Sequence, residues 1–292
     1  KEVMIFLHGG PGSSEATSGH YVEQFHHDMF HIVYYDQRGA GKTYMRDKEQ
    51  VPDMSMLLED LHQTVEYVKE KYQKDKVILF AHSFGTVVAA LYVKRHPENV
   101  LCYIGAGQMV EVASYAKARC EYLLNLLKEQ GKSKQALFIQ KLGEQTNQTY
   151  SEEQLSKLQM IRLRIIQIRN HMLQGPGIGM KQIVRSSPIY EKSDDKVMMK
   201  ARKSNYKLID YCKAFRLADE IKQWPVPTCF ISGDLDFQVP YSVVQQYVAD
   251  IKDNNVQFHL INQSGHFALI DNGFSFWNIV REFLEQVVNK DI

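Results

Sequence analysis

Short, almost wholly apolar runs recur along this chain between segments of helical periodicity, and that alternation constrains its fold more than any other feature. Residues 3–7, 31–35, 76–81 and 100–104 read as strands, while residues 18–29, 55–72 and 84–96 read as helices. Within 55–72, Met56, Leu57, Leu61, Val65 and Val68 recur at the three- and four-residue spacing of one helical face. Strands without polar alternation must be covered on both faces, which predicts a parallel sheet flanked by helices.

The rhythm breaks near Met109 and resumes at Thr228. Between them, residues 113–130, 133–143, 151–174 and 195–211 read as helices rich in Lys, Arg, Gln and Glu. A strand at 228–231, a helix at 242–251, a strand at 256–261 and a helix at 273–288 follow. The pattern predicts an α/β core of residues 1–108 and 224–292, interrupted by an all-helical insertion over 109–223. Gly175, Gly177 and Gly179 follow a helix and not a strand, so they predict a hinge or loop and not a phosphate cradle.

Composition excludes several classes. A net charge of +1 gives no pull toward nucleic acid or an anionic membrane. No apolar stretch approaches the roughly 20 residues that span a bilayer, and residues 3–7 are too short for a signal sequence. Cys102, Cys120, Cys212 and Cys229 form no Cys-x-x-Cys pair, which predicts buried thiols in a reducing cytoplasm. Lys1 stands almost directly before a core strand with no initiator Met, so a preceding segment is expected.

Chemistry enters at Ala81-His82-Ser83-Phe84-Gly85, between a strand and a helix. A serine with small residues two before and two after it is the pattern of a nucleophile elbow, whose tight turn leaves no room for larger side chains. Three more loops follow predicted strands, at the sheet edge where open α/β folds bind ligands. His8-Gly9-Gly10-Pro11-Gly12 can turn main-chain N–H groups toward an oxyanion; Gly10 is the first choice of donor, Gly9 the second, and Phe84 the partner donor. A tight turn without a catalytic role is the alternative.

Gly233-Asp234-Leu235-Asp236 offers two acids. The extra reach of the turn favours Asp236 as partner of a base, with Asp234 as a turn former. His266, in Ser264-Gly265-His266-Phe267, follows the last strand and completes the order Ser, Asp, His. His82 and His96 are poorer candidates for the base, and His8 is expected to bond loop backbone. His26 and His27 share no ligand spacing with the acidic residues, so no metal and no cofactor are expected.

These loops give the chain its resemblance. It is similar to α/β-hydrolases with a helical cap, and within them resembles the prolyl aminopeptidase (proline iminopeptidase) family of serine peptidases. The resemblance is carried by His8-Gly9-Gly10-Pro11-Gly12 and by Asp36-Gln37-Arg38-Gly39-Ala40-Gly41-Lys42-Thr43, and covers residues 1–108 and 224–292. It implies an α/β-hydrolase fold, two further strands before the first loop, acyl-enzyme chemistry and release of N-terminal proline from short peptides. Asp36 and Arg38 are expected to lock the loop beside the oxyanion hole.

The chain also departs from that pattern. The family elbow reads Gly-Gly-Ser-Trp-Gly, and a glutamate that binds the substrate amine sometimes follows the catalytic Asp, where Phe237 stands here. Glu111, and after it Glu121, are the candidates for that carboxylate, with solvated helix residues as the alternative. A carboxylesterase using the same machinery is the competing function. A binding protein that kept the fold and lost catalysis is the third.

Overall fold

The computed structural model describes residues 1–26, 29–143, 180–192 and 194–290. Six strands form one sheet: β1 (Glu2–Leu7), β2 (Phe30–Tyr34), β3 (Val77–His82), β4 (Val100–Ala106), β5 (Thr228–Gly233) and β6 (Val256–Ile261). All neighbours are parallel, in the order β2-β1-β3-β4-β5-β6. Each run predicted as a strand is one. The central β3 and β5 are buried at every position, whereas the edge strands β2 and β6 are mostly half-buried. That gradient follows from an edge having only one neighbour to cover it.

Register sorts the side chains onto two faces, because successive residues of a strand point to opposite sides. Met4 lies beside Ile78, Ile78 beside Cys102, and Ile104 beside Cys229. This face packs against α1 (Gly19–His26) and the last helix, whose Phe276, Trp277 and Val280 are fully buried. Phe80 stacks on Trp277 with ring centroids 5.4 Å apart. The residues of opposite parity, among them Tyr103 and Phe230, meet Trp224, with Tyr103 and Trp224 stacked at 5.2 Å.

Helix α3 (Met54–Tyr72) starts where Asp53 caps it, its carboxylate accepting from the Met56 N–H at 3.0 Å; such a cap stabilises by about 1 kcal/mol. Helix α4 (Gly85–Arg95) is buried from Gly85 to Val93. A helix apolar on all sides belongs in the interior, and that fixes the loop ahead of it. Two short helices that periodicity could not reveal are α2 (Gly41–Arg46), after β2, and Ala268–Asp271, after β6.

The chain divides into two compact units, Lys1–Glu111 with Ile178–Ile292, and Val112–Gly177. In the second, α5 (Val112–Glu129) and α6 (Ser133–Gly143) bury Leu123, Leu127 and Ile139. The helices predicted at 113–130 and 133–143 are these two. The helix expected over 151–174 and the glycines of 175–179 lie outside the described residues.

The expected insertion of 109–223 therefore differs from these units, because residues 178–223 group with the sheet. The described part of that stretch forms α7 (Met180–Ser186), α8 (Asp194–Ser204), α9 (Tyr206–Ala214) and α10 (Leu217–Glu220). The single helix predicted over 195–211 is two, broken at Asn205. The buried Asn205 side chain donates to Gly39 O at 2.7 Å and Ala201 O at 2.6 Å. The Leu217 N–H likewise donates to Val110 O at 2.8 Å. These bonds tie the segment to the sheet's loops.

Candidate active site

Ser83 stands between β3 and α4 with φ at +53°. The left-handed region costs a non-glycine residue roughly 1–2 kcal/mol, so its surroundings must impose it. They do so from both sides. The Ser83 N–H donates to Ala106 O at 3.0 Å, and Gly85 is wedged against β1: a Cβ there would lie 2.3 Å from Leu7 O. Ala81 is fully buried between Leu7 and Gly105, so alanine suffices where the elbow needs a small residue. Ser83 itself is half-buried among buried neighbours.

The glycine loop after β1 runs directly over this turn. A Cβ on Gly9 would sit 3.1 Å from Ser83 Cβ, so a side chain there would press the loop and the turn apart by a few tenths of an ångström. Gly10 has φ at +122° and is exposed. Among the described residues, neither the Gly10 nor the Phe84 N–H enters a main-chain hydrogen bond of the turns and loops. His8 holds the loop, as its position implies: its Nε2 accepts from the Gln37 N–H at 3.0 Å, and its Nδ1–H donates to Gly9 O at 2.8 Å. Burial pushes its pKa down, and a ring that accepts at one nitrogen is neutral.

Asp236 and His266 meet. The His266 Nδ1–H donates to Asp236 Oδ2 at 2.8 Å, with side chains 8% and 1% exposed. Asp236 Oδ1 accepts from the N–H groups of Gln238 and Val239, at 2.8 and 2.9 Å. With Nδ1 protonated toward the carboxylate, Nε2 is left as a lone-pair acceptor, which is the tautomer a general base needs. Asp234 is the turn former: its Oδ1 accepts from the Ser264 N–H at 3.1 Å and joins the two loops.

Several groups at this edge carry little or no local sequence signal. Gly107, after β4, has φ at +57°, and a Cβ there would lie 3.4 Å from both Asp236 Oδ2 and His266 Cε1. Asp271 accepts from the Gly265 N–H at 2.8 Å. The His82 Nε2–H donates to His266 O at 2.8 Å, and His82 Nδ1 lies 3.4 Å from Glu15 Oε1. A glycine at the end of a strand is the one hint available for Gly107; Glu15 and Asp271 offer none.

Arg38 makes a two-pronged contact with Asp60, at 2.7 and 2.6 Å, and this partner raises its pKa. The pair is half-exposed and joins the loop to α3. Asp36 accepts from the Lys42 N–H at 2.6 Å and so holds the start of α2. Glu111 is engaged by Arg216 Nε at 3.0 Å. Glu121 lies in α5, exposed, 4.0 Å from Lys117. Among the described residues no cluster of His, Cys, Asp or Glu could hold a metal, and no helix is long and apolar enough to cross a membrane.

The family described as serine aminopeptidase, S33 (Hydrolase_4) matches residues 1–273. A probable aminopeptidase, YbaC, of Bacillus subtilis (strain 168) is 22% identical over 280 residues, covering 94% of this chain and 86% of its own. A proline iminopeptidase of Heyndrickxia coagulans is 21% identical over 287 residues, covering 97% and 91%. Solved structures share the fold. A thermophilic esterase from Thermogutta terrifontis superposes with TM-score 0.61 at 16% identity, covering 98% of this chain and 90% of its own. A proline iminopeptidase-related protein from Thermus thermophilus gives 0.59 at 17%, covering 99% and 90%.

Proposed function

The chain belongs to the serine aminopeptidase S33 family of α/β-hydrolases, and from that premise we propose that Ser83, His266 and Asp236 carry acyl transfer. The observation that supports this most is the buried 2.8 Å contact between Asp236 and His266, tied through His266 O to His82, the residue before a serine held in left-handed backbone. His266 Nε2 takes the proton from Ser83 Oγ as the oxygen attacks a carbonyl carbon. The N–H groups of Gly10 and Phe84 receive the oxyanion. The same imidazolium protonates the leaving group, and an acyl-serine ester forms. Water, deprotonated by His266, then releases the acyl group and restores Ser83.

The substrate is an N-terminal aminoacyl group of a short peptide, proline first. Family membership supports this, as do the names of the aminopeptidase and proline iminopeptidase relatives. The helical segment between β4 and β5, expected over 109–223, is assigned the selection of substrate. The four cysteines are buried thiols, in keeping with the cytoplasm as compartment.

One observation favours a second reading, a carboxylesterase. Glu111, the first candidate for binding a substrate amine, is held by Arg216, and an ester substrate needs no such carboxylate. The test compares a prolyl arylamide with an acyl ester of the same leaving group, for the wild type and Ser83→Ala. Turnover of the arylamide that Ser83→Ala abolishes is expected. Turnover of the ester alone selects the esterase, and turnover by Ser83→Ala rejects the nucleophile.

A further inference from the structure

Resting on the reading that Ser83 and His266 carry the reaction, we propose that Glu15 and His82 form a second buried acid–histidine couple. It positions His266 through its main chain and not through its ring. His82 Nε2 lies 2.8 Å from His266 O. A carbonyl can only accept, so Nε2 carries a proton. The other ring nitrogen, Nδ1, is buried without a hydrogen-bond partner in the described structure, and Glu15 Oε1 stands 3.4 Å away. An unprotonated Nδ1 would set a lone pair against a carboxylate in a site closed to water, which is costly. A proton on Nδ1 turns that repulsion into an ion pair.

The surroundings fit a charged couple. The Glu15 side chain is 9% and that of His82 2% exposed. The Ser18 hydroxyl lies 2.9 Å from Glu15 O and 3.3 Å from Glu15 Oε2, so its one proton is shared between the main chain and the carboxylate. Burial opposes the charge on each member, yet each outweighs it for the other: His82 is raised and Glu15 lowered from their ordinary values. The titratable groups facing them are His8, neutral and bound to backbone, Asp236 and His266 across the edge, and the buried Tyr34 hydroxyl near Glu15.

Position gives the couple its role. His82 adjoins Ser83, so one ring is fixed to the backbone of the nucleophile and grips the backbone of the base, 184 positions away in the chain. The two imidazole rings lie 4.7 Å apart at 46°. Asp236 sets the rotation of the His266 ring, and His82 sets where that ring stands. Both are needed, because misplacing a reacting group by about 1 Å can cost around 100-fold in rate.

The test combines nuclear magnetic resonance of the histidine rings with kinetics on both substrates. In the wild type near neutral pH, the His82 ring should have both nitrogens protonated; His82→Gln identifies its signals, and Glu15→Gln should leave only Nε2 protonated. Glu15→Gln is expected to lower kcat about 10- to 100-fold with KM little changed. His82→Gln, which keeps an N–H near the position of Nε2, should retain more turnover than His82→Ala. A neutral His82 ring in the wild type overturns the couple without requiring any variant to fold. Wild-type kcat in Glu15→Gln, with Ser83→Ala inactive, overturns the couple alone, whereas an active Ser83→Ala overturns the reading beneath it.

Discussion

Asp236 spends one carboxylate oxygen on the Nδ1–H of His266, at 2.8 Å, and the other on two main-chain N–H groups of its own turn. The carboxylate is therefore oriented by backbone before it orients the imidazole.

Asp236→Asn should keep the fold and lower kcat by about 10³–10⁴, since an amide can present its N–H to Nδ1 and favour the wrong tautomer. Asp234→Asn should lower kcat far less. Steady-state kinetics with a labelling rate for a fluorophosphonate probe separates the two. Equal losses at both positions would remove Asp236 from its assigned role.

The backbone at Ser83 predicts an inverted stability order. Ser83→Gly should be about 1 kcal/mol more stable than Ser83→Ala, because glycine adopts the positive φ without strain. Urea titration of both variants measures it. If the alanine variant is the more stable, the left-handed turn is not strained.

Gly85→Ala should destabilise by about 3 kcal/mol or more, because its Cβ would meet the main-chain carbonyls of Leu7 and His8 and backbone cannot step aside. Gly131→Ala meets nothing within 4 Å and should cost only the strain of its positive φ. Thermal unfolding of the pair gives the comparison.

The couple behind the site predicts a pH dependence of stability. Glu15 is lowered from 4.5 because His82 outweighs burial; its contribution is present above pH 4.5 and lost as pH falls through the lowered value. His82 is raised from 6.5 because Glu15 outweighs burial; its contribution is present below pH 6.5 and lost as pH rises through the raised value. The Tm difference between wild type and Glu15→Gln should therefore be greatest between about pH 4.5 and 6.5 and narrow on either side. A difference independent of pH, read by calorimetry, would contradict it.

The sheet was legible because its central strands are apolar at nearly every position, and the loops that follow them contain the residues that the fold brings to one edge. Asp236 could be preferred to Asp234 by alternation and reach. What stayed hidden depends on contacts between distant segments. The helical pattern runs on past Asn205, where the helix breaks and the side chain bonds Gly39 O and Ala201 O. The described residues between 180 and 223 dock on the sheet through such bonds and through buried Ile183, which no periodicity encodes. Nothing near Glu15 in sequence points to His82.

Because the hydrogen bond from His82 to His266 O spans 184 positions, the site cannot exist until both ends of the chain have docked. Closing so long a loop carries its entropic cost before any contact repays it. In a refolding experiment, helical signal should return well before turnover does. Activity in this protein is thus a clock hand that moves last, reporting completed assembly where spectroscopic measures report only its beginnings.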